Sequence, residues 1–405
     1  MKHLRPKKTL AALLAVAVVT ALGACGGGDK GDSGGKSSST SSGLGTGPIK
    51  AGYVAALSGF LAPFDTPVTQ GSKLAVSDIN AKGGVDGKNK LELDVQDMKS
   101  DAATVVTVAQ QLLDDGSKAL LPGCNTDFQV AGASVAQQQN TLMVSPCNAD
   151  PTISQKFPVY FPVGPGGNRQ AAAMADYVKE QDQGNVYILD APDFLFVKLI
   201  TKYFTAAAGT RDLKIVGKDT FKVGATDFAP QVAKIKNAST KPDVIVTGMF
   251  APDIAVFVKQ LRAAGVDTPV MGTDGVDTSV TLKTGGSAVD GLTFTTFSFP
   301  SPGSKAEKFS KAYKAEYGNP PDGAYPALGY NAMVVMSAAI AKAGSTDPKQ
   351  LAEAIKGLTV EGATGPIKYP SDGDHNPAVP LSVVTIKDGK FTFVKDIDPT
   401  DVPAP

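Results

Sequence analysis

The chain is 405 residues long, with 39 Lys and Arg against 39 Asp and Glu, two histidines and three cysteines. That balance offers no basic stripe for nucleic acid, and past the amino-terminal region no apolar run reaches the roughly 20 residues of a membrane span. From Pro48 onward about 358 residues remain, more than one comfortable core, so two lobes are expected.

At the amino terminus Lys2, Arg5, Lys7 and Lys8 precede an apolar run from Leu10 to Leu22, the charge-then-hydrophobe order of a secretory signal. Its apolar core, about a dozen residues, is too short to span a bilayer, so residues 1–24 are expected to be removed. The exit Leu22-Gly23-Ala24-Cys25 resembles the lipobox of bacterial lipoproteins, whose cysteine is diacylated and becomes the first mature residue. Cys25 is the expected lipidation site; the alternative is an ordinary signal peptide with a chance cysteine. Two or three acyl chains on one residue anchor a protein firmly, where one chain binds only marginally. The implied location is the outer face of the bacterial cytoplasmic membrane.

After Cys25, residues 26–47 are Gly, Ser, Thr, Lys and Asp with Leu44 as the one large apolar residue, a composition that cannot repay the entropy of ordering. They form a tether with a reach of roughly 25 Å. Removing residues 1–24 leaves 35 basic against 39 acidic side chains, a mildly acidic mature protein.

Strand-like runs then alternate with helix-like ones. The predicted strands are 49–57, 91–96, 119–122, 141–145, 186–189, 215–221, 244–247 and 270–272, most short and apolar throughout, as strands buried on both faces should be. Between them the apolar period lengthens: Val68, Gly71, Ala75 and Ile79 share one helix face, as do Val105, Val108 and Leu112, and Ile254, Phe257, Val258 and Leu261. Asp227 is a suitable N-cap for a helix that follows it. The stretch 327–343 is apolar on nearly every side and reads as a helix buried against one lobe. The expected fold is therefore α/β, two doubly wound parallel-sheet lobes of about four strands each, joined by a hinge. Gly/Pro clusters at 163–167 and 299–303 are candidate crossovers. They give lobe one residues 48–165 plus about 299–370, and lobe two residues 166–298 plus about 371–405. In open parallel sheets a ligand sits at the carboxyl ends of the strands, here in the cleft between the lobes.

The order of segments resembles the leucine/isoleucine/valine-binding proteins, the type I periplasmic-binding family with its Venus-flytrap architecture, which feeds ABC importers. The stretches that carry the likeness are Leu57-Ser58-Gly59, residues 71–84, Gly224-Ala225-Thr226-Asp227-Phe228, Gln260-Leu261-Arg262-Ala263-Ala264-Gly265 and Thr364-Gly365-Pro366. Within residues 71–84, Asp78 to Gly84 also reads as a helix end closed by a left-handed glycine.

The resemblance implies a zwitterionic amino acid held by hydroxyl and backbone donors on its carboxylate, an acid on its ammonium, and aromatic rings around both. The loop after the third strand brings Asn125, Thr126 and Asp127 to the start of a helix, where unpaired N–H groups and the helix dipole favour an anion. Asp127 also reads as a simple helix cap. The next strand-end loop offers the backbone of Cys147 and Ala149, with Ala149 standing where the family places a threonine. Asp274 takes the position of the ammonium-binding acid, and Phe64, Phe194 and Phe250 fall on aromatic positions where tyrosines are common, which makes the pocket more apolar. Each also has a structural reading, Asp274 as a turn residue before glycine and the phenylalanines as core.

Cys124 and Cys147, the cysteines left after Cys25, end neighbouring predicted strands in an exported chain, so a disulfide is expected; the alternative is a pair of buried thiols. The resemblance implies delivery of the ligand to an ABC permease by hinge closure. The competing readings are a ligand-sensing binding protein that reports to a receptor kinase, and a binder of a non-amino-acid small molecule such as an amide or aromatic acid. Catalysis has few parts to work with. His375 is the one histidine past the signal, and no Gly-x-Ser-x-Gly elbow or phosphate loop is present. Asp372, Asp374 and Asn376 begin like a calcium loop, but Pro377 replaces the needed glycine and Val383 the glutamate. A monomer without cofactor or metal is expected.

Overall fold

The computed structural model describes residues 44–405. The signal segment, Cys25 and the tether as far as residue 43 lie outside the described residues. The chain opens with β1 (Ile49–Ala55), α1 (Ala62–Ala81), β2 (Leu91–Asp97), α2 (Ala102–Asp114), β3 (Ala119–Pro122), α3 (Thr126–Gln138), β4 (Leu142–Ser145), α4 (Ile153–Lys156) and β5 (Tyr160–Pro162). Its five strands pair in parallel in the order β2-β1-β3-β4-β5.

A second run follows: α5 (Gly167–Glu180), β6 (Asn185–Asp190), α6 (Leu195–Gly209), β7 (Lys214–Thr220), α7 (Ala229–Lys236), β8 (Val244–Thr247), α8 (Asp253–Ala263), β9 (Val270–Gly272), α9 (Ser279–Gly285) and β10 (Thr293–Thr296). Then come α10 (Lys305–Tyr317), α11 (Tyr325–Ala343), α12 (Pro348–Ile355), the hairpin β11 (Thr359–Gly362) and β12 (Gly365–Lys368), and finally β13 (Leu381–Lys387) and β14 (Lys390–Ile397). The second sheet runs β14-β13-β10-β9-β8-β6-β7, parallel from β10 to β7 and antiparallel at β13 and β14. Residues 163–166 join β5 to α5, residues 297–304 join β10 to α10, and residues 369–380 join the separate β11–β12 hairpin to β13 of the second sheet.

All eight predicted strands occur. The sheets hold five and seven strands rather than about four each, because β5, β10, β13 and β14 were not predicted, among them the seven-residue, mostly buried β13. β5 and β10 have three and four residues, and β14 alternates exposed and half-buried positions along an edge. β3, β4, β8 and β9 are buried at every position, as two-sided parallel strands must be.

Two helices set the frame of the site. α11 lies against α1 so closely that a Cβ at Gly71 would stand 1.7 Å from the Pro326 carbonyl oxygen, and one at Gly329 would stand 2.1 Å from the Val68 carbonyl oxygen. Only glycine allows that approach of two backbones. The Ser72 hydroxyl donates to the Gly329 carbonyl at 3.1 Å and fixes the register. α1 ends as expected, with Gly83 and Gly84 at positive φ and the Gly84 N–H donating to the Ile79 carbonyl at 3.0 Å. Ahead of α7 the Asp227 carboxylate accepts the Ala229 N–H at 2.9 Å, although Phe228 and not Asp227 occupies the cap position.

Candidate functional site

The carboxyl ends of strands from both sheets converge on a space bounded by aromatic rings. From the first-sheet body, Phe64 stands in the first turn of α1 and Tyr325 opens α11, their ring centroids 5.2 Å apart. From the second-sheet body, Phe194 precedes α6 and Phe250 follows β8, with centroids 5.1 Å apart. Phe64 meets Phe250 edge-on at 6.2 Å, and Phe297 meets Tyr325 at 6.0 Å. The edge-to-face contacts join the two halves through aromatic packing.

Asp274 lies in the turn after β9 and is 6% exposed. Its Oδ1 accepts from Gln170 Nε2 at 2.7 Å, and its Oδ2 accepts from the Tyr325 hydroxyl at 2.6 Å. Among the described residues no cation forms an ion pair with it. Burial therefore pushes its carboxyl above the ordinary range, and the bonds from Tyr325 and Gln170 pull it partway back.

Across the same space stands Asn125. It caps α3, accepting the Asp127 N–H at 3.0 Å. Asp127, read from the sequence as a cap, is instead an exposed residue of the first turn. Asn125, Cys124, Phe64, Phe194, Phe250 and Asp274 all line the pocket, so five of the eight sequence-predicted ligand residues meet there. Thr126 is buried behind them, its hydroxyl without a partner. Cys147 is bonded to Cys124, with Cα atoms 5.2 Å apart. The Cys147 carbonyl faces inward, accepting Gln129 Nε2 at 3.0 Å and the Ser145 hydroxyl at 2.6 Å. Ala149 turns its carbonyl toward Gly167. The structure thus does not bring Thr126, Cys147 or Ala149 to the pocket surface.

Tyr325, Gln170 and Phe196 were not legible as site residues. Tyr325 opens a helix whose apolar composition reads as core, and Gln170 sits within α5, where nothing in the local pattern marks it. The space between the rings is about 40 Å³, room for a few waters. That is small for a ligand of amino-acid size, which needs the rings to move apart. His375 takes no place in the site. Its ring stacks on Phe161 with centroids 3.9 Å apart, Nδ1 lies 2.9 Å from the Tyr160 carbonyl, and burial holds its pKa below the usual value.

Comparison with known proteins agrees with this architecture. The Leu/Ile/Val-binding protein homolog 3 of Brucella melitensis is 29% identical over 330 residues, covering 80% of this chain and 88% of that protein. The crystal structure of a leucine binding protein, LivK, from Thermotoga maritima superposes with a TM-score of 0.79 at 26% identity, covering 87% of this chain and 99% of that one. The branched-chain amino acid transporter substrate-binding protein LivJ of Streptococcus pneumoniae, solved with isoleucine, gives 0.79 at 25% identity, covering 87% and 100%. A family model described as periplasmic binding protein matches residues 48–390. On the sheets, the interlobe pocket and this match together, the chain belongs to the periplasmic binding protein family.

Proposed function

We propose that the protein is an extracytoplasmic solute-binding protein that captures a small amino-acid-like ligand, with branched-chain or other apolar amino acids favoured, and presents it to an ABC permease by hinge closure. The observation that carries this reading is Asp274, a buried carboxylate with no protein cation, facing a space whose opposite wall holds the capped amino end of α3. A free α-amino acid is the complement. Its ammonium pairs with Asp274, its carboxylate lies toward Asn125 and the N–H groups of α3, and its side chain packs among Phe64, Phe194 and Phe250. Relatives named for binding leucine, isoleucine and valine support the same ligand class.

In this reading the protein has no catalytic role and acts as a monomer. Cys25 carries the lipid, the segment to residue 47 is the tether, and the halves divide near 165, 299 and 370. Thr126, Cys147 and Ala149 contribute to the carboxylate side only through a rearrangement on opening.

A thermal-shift panel of aliphatic and aromatic amino acids, amides and aromatic acids tests it. A ligand at 100 times its dissociation constant adds about 2.7 kcal/mol of stability. Stabilisation by apolar L-amino acids and by none of their decarboxylated amines or deaminated acids is the expected pattern. Stabilisation by aromatic acids alone would replace the ligand class. Acyl-chain mass on the mature amino-terminal peptide, lost in Cys25→Ser, tests the anchor.

A further inference from the structure

Asp274 and Asp277 sit on and just past one short turn, yet they face different spaces. Asp277 lines a second cavity that shares no residue with the cleft pocket. That cavity measures about 140 Å³, close to the roughly 150 Å³ of an apolar cavity that accepts benzene. Its apolar walls include Phe299 in the link at 297–304, Phe309 on α10, Ala327 on α11 and Phe391 on β14.

The one charged group in these walls is Asp277, 5% exposed. Its Oδ2 accepts from the Thr296 hydroxyl at 2.6 Å and from the Ala324 N–H at 3.0 Å. Neither bond uses Oδ1. Among the described residues no cation pairs with Asp277, and the charges that act on it, Asp322 and Asp274, are both carboxylates. Burial pushes its carboxyl up to about 7. Gly323 (φ +77°) packs on the Asp277 main chain, where a Cβ would stand 2.1 Å from the Asp277 carbonyl oxygen and 3.0 Å from its Cγ, so only glycine fits there. A buried anion with a free acceptor at the edge of a benzene-sized aromatic cavity is the complement of a compact apolar cation. An ammonium supplies the missing countercharge, and its hydrocarbon body fills the walls.

We propose that this cavity, beside the link between the two sheets, is a second ligand site that takes a primary amine with a body of one ring or one branched alkyl group. The ammonium donates to Asp277, and the body packs against Phe299, Phe309 and Phe391. The site is separate from the amino-acid cleft and does not depend on it.

Calorimetric titration of the full protein with benzylamine at pH 8, where Asp277 is ionised, tests the proposal. Binding is expected, weakened about tenfold or more in Asp277→Asn and retained, with a clearly smaller change, in Asp274→Asn, whose charge acts on Asp277 without touching the amine. Ser310→Phe, at a half-buried lining position, is expected to abolish binding by filling the space, and it keeps the test valid if Asp277→Asn does not fold. No binding by the folded wild type at millimolar benzylamine overturns the proposal. So does binding that survives Asp277→Asn and Ser310→Phe but disappears in Asp274→Asn, which places the amine in the cleft.

Discussion

The Tyr325 hydroxyl donates to Asp274 Oδ2 at 2.6 Å, joining the first residue of α11, packed on the first sheet, to the turn that ends β9 in the second. The bond closes the pocket while both halves are in contact. It also leaves Asp274 with lone pairs for one more donor, which is the place a ligand ammonium takes in the proposed mechanism.

Removing that hydroxyl separates closure from ligand chemistry. Tyr325→Phe keeps the ring against Phe64 and loses one charge-assisted hydrogen bond, a change of about 2 kcal/mol at most. The expected outcome is amino-acid affinity lowered by roughly fivefold to thirtyfold, with solution scattering of the unliganded variant shifted toward the open form. Scattering and affinity identical to wild type remove the bond from the closing mechanism.

Asp274→Asn is expected to act in opposite directions on stability and binding. Without ligand, a buried and unpaired carboxylate gives way to a neutral amide of the same shape, and the melting temperature rises or holds. With ligand, the ammonium loses its countercharge, and affinity falls by at least about 100-fold, or roughly 3 kcal/mol. Unchanged affinity removes Asp274 from the site.

Two buried carboxylates bias stability with pH. Burial raises Asp65 to about 7 despite bonds from the Ala56 and Cys124 N–H groups, and raises Asp277 to about 7. Each holds its proton in the folded state up to pH values at which the unfolded chain, near 3.8, has already released it. The folded state binds more protons across that window, so stability falls as pH rises from about 4 to about 7. Denaturant titrations at pH 5 and pH 8 are expected to differ by up to a few kcal/mol. Asp277→Asn should remove its share of that slope.

The Cys124–Cys147 bridge closes a loop spanning 23 positions, worth about 3 kcal/mol in the chain-entropy model. Reduction, or the double change to serine, is expected to lower the denaturation midpoint accordingly. The same change should loosen the pocket rim, because Cys124 lines it. A midpoint unchanged by reductant argues against the bridge in solution.

Gly71 and Gly329 give the sharpest packing test. Gly71→Ala puts a methyl group into the Pro326 carbonyl, and separation of α1 from α11 is expected to cost on the order of 3 kcal/mol or more. A surface control such as Lys73→Ala, at an exposed position of the same helix, should cost under about 0.5 kcal/mol.

The alternation of short apolar strands with amphipathic helices was legible because each element carries its own burial phase, period two or none for strands and 3.6 for helices. Phe64, Asn125, Phe194, Phe250 and Asp274 were legible through the resemblance, which matches them to the family's ligand positions, and general fold geometry added only that strand-end loops face the cleft of an open parallel sheet. β5 and β10 were missed because their composition gives no apolar run: Tyr160-Phe161-Pro162 lies among prolines and glycines, and three of the four residues of β10 are threonines.

The sequence by itself determined the α/β order and the stop of α1 at Gly83 and Gly84, since these depend on neighbours a few residues apart. Tertiary structure alone decided that Tyr325 reaches Asp274 over a separation of 51 residues, that Ser72 meets Gly329 over 257, and that the Cys147 carbonyl turns inward. Those contacts depend on how separately formed elements pack, and local periodicity carries no record of which distant partner a buried face will meet.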